Sequence, residues 1–181
     1  MRFTETEIAG AYLVDLDCME DTRGFFGRSW CSREFTEHGL SGSMAQCSIS
    51  YNNRRGTLRG MHFLAAPCAE TKLVRCTAGA MYDVVLDLRL GSRTFRSWIS
   101  VELTSGNRRA LYVPEGCAHG YVTLTDGCEV FYQMSEFYSK EADRGVRWND
   151  PAFGIEWPIS DPIISDKDAG YPDFDSDRDA R

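Results

Sequence analysis

The chain has 181 residues, a formal net charge of −7, 43% hydrophobic residues and 12% aromatic residues. Those values describe one globular domain with room for a full core and exclude the disordered class. Much of the acidic excess sits in Asp173, Asp175, Asp177 and Asp179, which argues against a nucleic-acid surface but leaves a local positive pocket open.

The first residues, Met1-Arg2-Phe3-Thr4-Glu5-Thr6-Glu7, show no apolar signal region, and no run reaches transmembrane length, so neither a membrane nor a nucleic acid is expected as a partner. The seven cysteines, at 18, 31, 47, 68, 76, 117 and 128, form no CxxC pair. Without a secretion signal, the expectation is reduced, buried thiols in a cytoplasmic protein and no zinc centre.

In chain order, Ala11, Tyr12, Leu13 and Val14 open a strand, and Asp21-Thr22-Arg23-Gly24 is a turn feeding Phe25 and Phe26. Residues 31–40 read as a short helix, with Ser32 as N-cap, Glu34 in the first turn and Gly39 as the stop. His38, just before that stop, is expected to be exposed and to suit the helix C-terminus. From Gln46 onward, strand follows strand. Segments 46–52, 56–64, 69–76, 80–89, 94–103, 109–114, 118–124 and 128–134 alternate or are rich in β-formers. Turns such as Leu90-Gly91-Ser92 and Thr125-Asp126-Gly127 separate them. Short strands at this spacing predict an all-β fold with short helices, an antiparallel sandwich or barrel of jelly-roll type. Residues 138–158 read as irregular. The domain is expected to span 1–170, with an acidic tail over 171–181 that frays.

The stretch Gly56-Thr57-Leu58-Arg59-Gly60-Met61-His62 with Lys72-Leu73-Val74-Arg75 carries the chemistry. Strict alternation puts Arg59 and His62 on opposite faces, and a bulge at Gly60 would bring them to one face. Two histidines on strands, His62 and His119, read either as satisfied core residues or as functional ones. With Glu70 they would make two nitrogens and one carboxylate for a metal, but Lys72 beside Glu70 opposes a dication and offers that carboxylate a partner. Proton transfer at carbon is the other reading. His62 would be the base, Tyr132 the acid and Lys72 the stabiliser of an enolate oxygen, with a distant carboxylate holding the imidazole. Spacing alone does not separate these mechanisms.

Several stretches together resemble the dTDP-4-dehydrorhamnose 3,5-epimerase family. They are Asp21-Thr22-Arg23-Gly24-Phe25-Phe26, the Arg59–His62 stretch, Lys72-Leu73-Val74-Arg75-Cys76, Asp83-Val84-Val85-Leu86-Asp87-Leu88-Arg89, Pro114-Glu115-Gly116-Cys117-Ala118-His119-Gly120, Trp148-Asn149-Asp150-Pro151 and Ser165-Asp166-Lys167-Asp168. The resemblance implies a cupin-like jelly-roll homodimer of nucleotide-sugar biosynthesis that uses no metal or nicotinamide. It would epimerise a nucleotide-linked 4-keto-6-deoxyhexose at carbon 3, carbon 5 or both. It implies His62 as base, oriented by Asp168, with Tyr132 as acid and Lys72 near the 4-ketone. Gln46, Ser48, Arg59, His119, Tyr138 and Asp143 then fall at substrate-contacting positions, and Arg23 and Phe26 in a segment reaching the neighbouring subunit's site.

The chain departs from the family's usual residues at the rim. Arg28 stands where Glu is usual, Ser48 for Asn, Glu70-Thr71 for Gln-Gly, Gln133 for Lys and Asp143 for Glu. Guanidinium only donates hydrogen bonds where a carboxylate would accept them, so Arg28 predicts either weaker selection of thymidine or a local ion pair. The alternatives to the leading reading are a single-centre epimerase acting on a sugar carried by another nucleotide, a metal-dependent cupin oxygenase, and a nucleotide-sugar binding protein without turnover.

Overall fold

The alternating segments pair into two antiparallel sheets that face each other across one core, as a computed structural model describes for residues 1–179. The chain runs β1 (Arg2–Glu5), β2 (Tyr12–Asp15), β3 (Met19–Asp21), β4 (Gly24–Phe26), α1 (Ser32–Glu37), β5 (Gln46–Asn52), β6 (Leu58–Leu64) and β7 (Lys72–Ala78). It continues through β8 (Ala80–Asp87), β9 (Trp98–Thr104), β10 (Ala110–Val113), β11 (Cys117–Thr123), β12 (Cys128–Met134), β13 (Asp143–Gly145), α2 (Asp166–Ala169) and α3 (Ser176–Asp179). One sheet has the order β1-β2-β10-β7-β12-β5 and the other β13-β6-β11-β8-β9, while β3 and β4 form a separate hairpin.

Alternation sorts the side chains into three apolar layers. Val74, Cys76, Met81, Val85, Leu111 and Val130 point between the sheets. Met61, Phe63, Val84 and Leu86 point out of the five-stranded sheet, where Val146 and Phe153 cover them. Leu73, Ala110 and Tyr112 point out of the six-stranded sheet, under Phe35 of α1. Burying a side chain of this size contributes roughly 1.5–3 kcal/mol, so loss of either cover would expose a sheet face. The all-β jelly-roll expectation holds.

Several boundaries differ from the sequence reading, each for a local reason. Cys31, not Ser32, is the N-cap of α1 and makes no side-chain cap bond; the Ser32 hydroxyl donates instead to the Gly42 carbonyl at 2.6 Å. Gly39 does end the helix, at φ +71°, and exposed His38 stacks on Phe3 with ring centroids 4.0 Å apart. The strand expected from residue 94 starts only at Trp98, because the Ser92 and Thr94 hydroxyls both donate to the Asp87 carboxylate and hold that stretch as a loop. The amino terminus, given no element in the sequence reading, is strand β1, and the segment read as irregular contains β13. Only Cys76, Cys117 and Cys128 are buried; Cys18 and Cys47 are exposed, Cys31 and Cys68 lie between, and all seven are free.

Within the segment read as an acidic tail, two residues touch the body of the domain. Phe174 lies 4.9 Å, centroid to centroid, from Phe153, and its amide donates to Asp150 at 2.6 Å. Asp173 pairs with Arg147. Residues 180 and 181 lie outside the described part of the chain.

Candidate active site

A cavity of about 390 Å³ opens between the two sheets, lined by Ser50, Arg59, His62, Lys72, His119, Tyr121, Tyr132, Ser165, Lys167 and Asp168. Arg59 and His62 come from β6, which is where the chain first departs from strict alternation. His62 pairs with His119 and Arg59 with Tyr121, so two residues of β6 oppose the single Gly120 of β11. That extra residue is the expected bulge, and it brings both side chains to the cavity. Gly60 sits there at φ +124°, and a Cβ on it would lie 2.5 Å from the Gly120 Cα. Only glycine fits so close an approach in that conformation.

Asp168 reaches His62 from 106 residues away. A parallel bridge joins Thr57 to Ile163, with Leu58 donating to the Ile163 carbonyl and Ile163 to that of Gly56, each at 2.8 Å. This lays the segment after 163 along β6. Ser165 then caps α2 by accepting from the Asp168 amide at 3.1 Å. As a result, Asp168 Oδ1 is 2.8 Å from His62 Nε2 and Oδ2 accepts from the Gly60 amide at 3.2 Å. Burial pushes the Asp168 carboxyl up, but the bond and charge of His62, with the Gly60 amide, outweigh that and hold it below the usual value. The carboxylate therefore accepts the Nε2 proton. That tautomer leaves Nδ1 of half-exposed His62 with its lone pair free, as a base needs.

Tyr132 comes from the other sheet. On β12 it shares a face with Ser48 of β5, its register partner, and with Lys72 of β7, which pairs with Met134 two residues on. Base and phenol thus stand on facing walls. Burial first, then Tyr121 and Asp83, push the Tyr132 phenol well above its ordinary value, with Arg59 opposing. Such a phenol is a proton donor and not a base at neutral pH. Its wall is stiffened by a buried network in which Asn52 donates to Tyr121 Oη at 3.2 Å and accepts from Arg59 Nε at 2.9 Å.

The cations divide by partner. Lys72 is ion-paired with Glu70, their side chains only 12% and 8% exposed. Lys167 donates to Asp143 at 2.5 Å. Arg59 has no carboxylate partner among the described residues, so it is the cavity's uncompensated positive charge. His119 is buried with Nε2 2.6 Å from Asp83 Oδ1. Burial pushes that aspartate up against the pull of His119, and its second oxygen has no partner. His62, Glu70 and His119 are each engaged elsewhere, so the metal set considered from the sequence does not assemble; among the described residues no three His, Cys, Asp or Glu side chains converge as a metal site.

At the rim, Gln46 accepts from the Tyr138 amide at 3.2 Å, and the Tyr138 hydroxyl donates to Asp143 at 3.1 Å. These three, with Ser48, lie beside the cavity without lining it. Arg23 and Phe26 are away from it: Arg23 pairs with Asp21 on the exposed β3–β4 hairpin, and Phe26 is 67% exposed. Arg28 forms an ion pair with Glu34 at 2.9 Å, the local alternative raised by its position. Sequence reasoning missed Ser50, Tyr121, Ser165 and Lys167. Lys167 had a signal, since it precedes Asp168 on one helical turn.

A sequence model of the family described as dTDP-4-dehydrorhamnose 3,5-epimerase matches residues 5–176. The chain is 40% identical over 175 residues to the dTDP-4-dehydrorhamnose 3,5-epimerase of Shigella flexneri, covering 96% of each. The crystal structure of dTDP-4-dehydrorhamnose 3,5-epimerase from Bacillus anthracis, with TDP and PPi bound, superposes with a TM-score of 0.92 at 41% identity, over 96% of this chain and 99% of that one. A 3'-monoepimerase from Streptomyces bikiniensis in complex with dTDP-quinovose superposes with a TM-score of 0.86 at 31% identity, over 93% and 85%.

Proposed function

The chain belongs to the dTDP-4-dehydrorhamnose 3,5-epimerase family of isomerases, and we propose that its cavity inverts one or both carbons beside the ketone of a dTDP-linked 4-keto-6-deoxyhexose. The ketone acidifies both neighbouring C–H bonds. The His62 Nδ1 lone pair takes a proton from one face, leaving an enolate whose oxygen is met by the Lys72 ammonium. The Tyr132 phenol, on the facing wall, returns a proton to the opposite face of the same carbon, and that delivery inverts the centre. Asp168 holds the imidazole tautomer before the transfer and balances the imidazolium after it. Arg59, free of any carboxylate, meets the diphosphate, and its planar fork suits phosphate oxygens.

The observation that carries this reading is the His62–Asp168 dyad on the wall facing Tyr132. The exposed hairpin with Arg23 and Phe26 supports a homodimer in which each hairpin completes the neighbour's site. The free thiols support a reducing compartment, hence the cytoplasm, and no described helix is long and apolar enough to cross a membrane. The test is incubation with dTDP-4-keto-6-deoxyglucose in D2O with NMR of the exchanged positions. Deuterium entering at carbon 3, carbon 5 or both confirms proton transfer and counts the centres; no exchange at either would reject the proposal.

A further inference from the structure

We propose that Tyr171, in the acidic segment after α2, is a positioning residue for the catalytic base: its ring walls the side of His62 that faces away from the substrate. The inference rests on the reading of His62 as the base. Three observations meet at this residue. The Tyr171 and His62 rings stand edge to face, centroids 6.3 Å apart and planes at 70°. Gly145, the register partner of His62 on β13, has its missing Cβ position filled by the Tyr171 ring, whose Cζ would lie 2.3 Å from it. The ring therefore lies directly on the backbone beside the base. Finally, the Tyr171 hydroxyl is buried beside the Lys167 ammonium without a hydrogen bond of full geometry. A polar atom held in this way gains little, so the part of the side chain that acts on the imidazole is the flat ring.

The tail is tied at both ends of this contact. Upstream, α2 places Asp168 on His62. Downstream, Phe174 is seated against Phe153 and lies under Arg96, whose guanidinium carbon is 5.8 Å from its ring centroid. Between these anchors Tyr171 has little freedom to leave. Asp168 fixes one nitrogen of the imidazole, and one hydrogen bond still permits the ring to tilt about it. An edge-to-face aromatic neighbour removes that freedom, and small misplacements of a reacting group are expensive in rate.

The test uses the full chain and compares wild type, Tyr171→Phe, Tyr171→Leu, Tyr171→Ala and His62→Asn for kcat, KM and solvent deuterium incorporation. Tyr171→Phe should stay within about twofold of wild type in both constants, because the ring is kept. Tyr171→Ala and Tyr171→Leu should lose about tenfold or more in kcat, with KM changed by less than about twofold, since binding groups are untouched. Leucine keeps the site filled, so it decides the matter if the alanine variant does not fold. Wild-type kcat in Tyr171→Leu, or a loss in Tyr171→Phe as large as in Tyr171→Leu, would overturn the inference. Full activity in His62→Asn would instead overturn the reading of the base on which it rests.

Discussion

His62 and His119 stand opposite each other across the β6–β11 pair, yet each gives its Nε2 to a different carboxylate, His62 to Asp168 and His119 to Asp83. The two histidines are not interchangeable. His119 is buried with its aspartate, whereas His62 is 35% exposed and presents its other nitrogen to the cavity.

The first prediction follows from that difference. His62→Asn should lower turnover and solvent exchange together by about 10²–10⁴-fold, the usual contribution of a positioned acid–base group. Asp168→Asn should cost less, because the imidazole remains and only its tautomer and orientation are lost. Initial rates of deuterium incorporation measure both. An Asp168→Asn variant slower than His62→Asn would give Asp168 a role beyond orienting the ring.

Tyr132→Phe should separate exchange from inversion. The base still removes a proton, and Lys72 still meets the enolate oxygen, so deuterium enters and returns on the face from which the proton left. NMR should therefore show exchange with starting configuration retained and net epimerisation reduced by about 10²-fold or more. Parental epimerisation in Tyr132→Phe would require another donor on that wall.

The buried Lys72–Glu70 pair makes a stability prediction. Removing one partner leaves a charge with little access to water, a loss of about 3–5 kcal/mol for pairs of this kind. Glu70→Ala and Lys72→Ala should each lower the urea midpoint strongly, and the double replacement should recover part of the loss. Additive effects in that cycle would show that the two groups do not interact in solution.

Asp87 gives the fold an acid limit. Burial pushes its carboxyl up, but hydrogen bonds from Arg89, Ser92 and Thr94 outweigh this and hold it at about 2, against a reference of 3.8. A carboxyl lowered on folding contributes stability that is full above the unfolded value and is lost as pH falls through the folded one. The window therefore runs from about pH 5 down to pH 2, and the contribution is about 2 kcal/mol. Urea midpoints against pH should fall across that window in wild type and be flatter in Asp87→Asn, which should also unfold more readily at neutral pH.

The sequence by itself determined the strand-rich class, the chemistry available and the place of the bulge. Period-two alternation is a property of the local backbone, so Leu73, Val74 and Val130 announce their layers without any partner. Gly60 announces its bulge because it alone between Leu58 and Leu64 lacks a Cβ. The motif around His62, Lys72 and His119 pointed to an epimerase because residue types in fixed order carry the family's chemistry.

Only the tertiary structure decided how the charged partners reach one another. Asp168 meets His62 across 106 positions because the 163–168 segment docks beside β6, and nothing in local periodicity encodes that docking. The same reason explains the acidic tail. Charge composition gives that segment no partners, whereas Tyr171 and Phe174 each meet a surface, on Gly145 and on Phe153, made by residues distant in the chain. Such surfaces exist only after the sheets have stacked, so the apolar contact they offer is not legible in the segment itself.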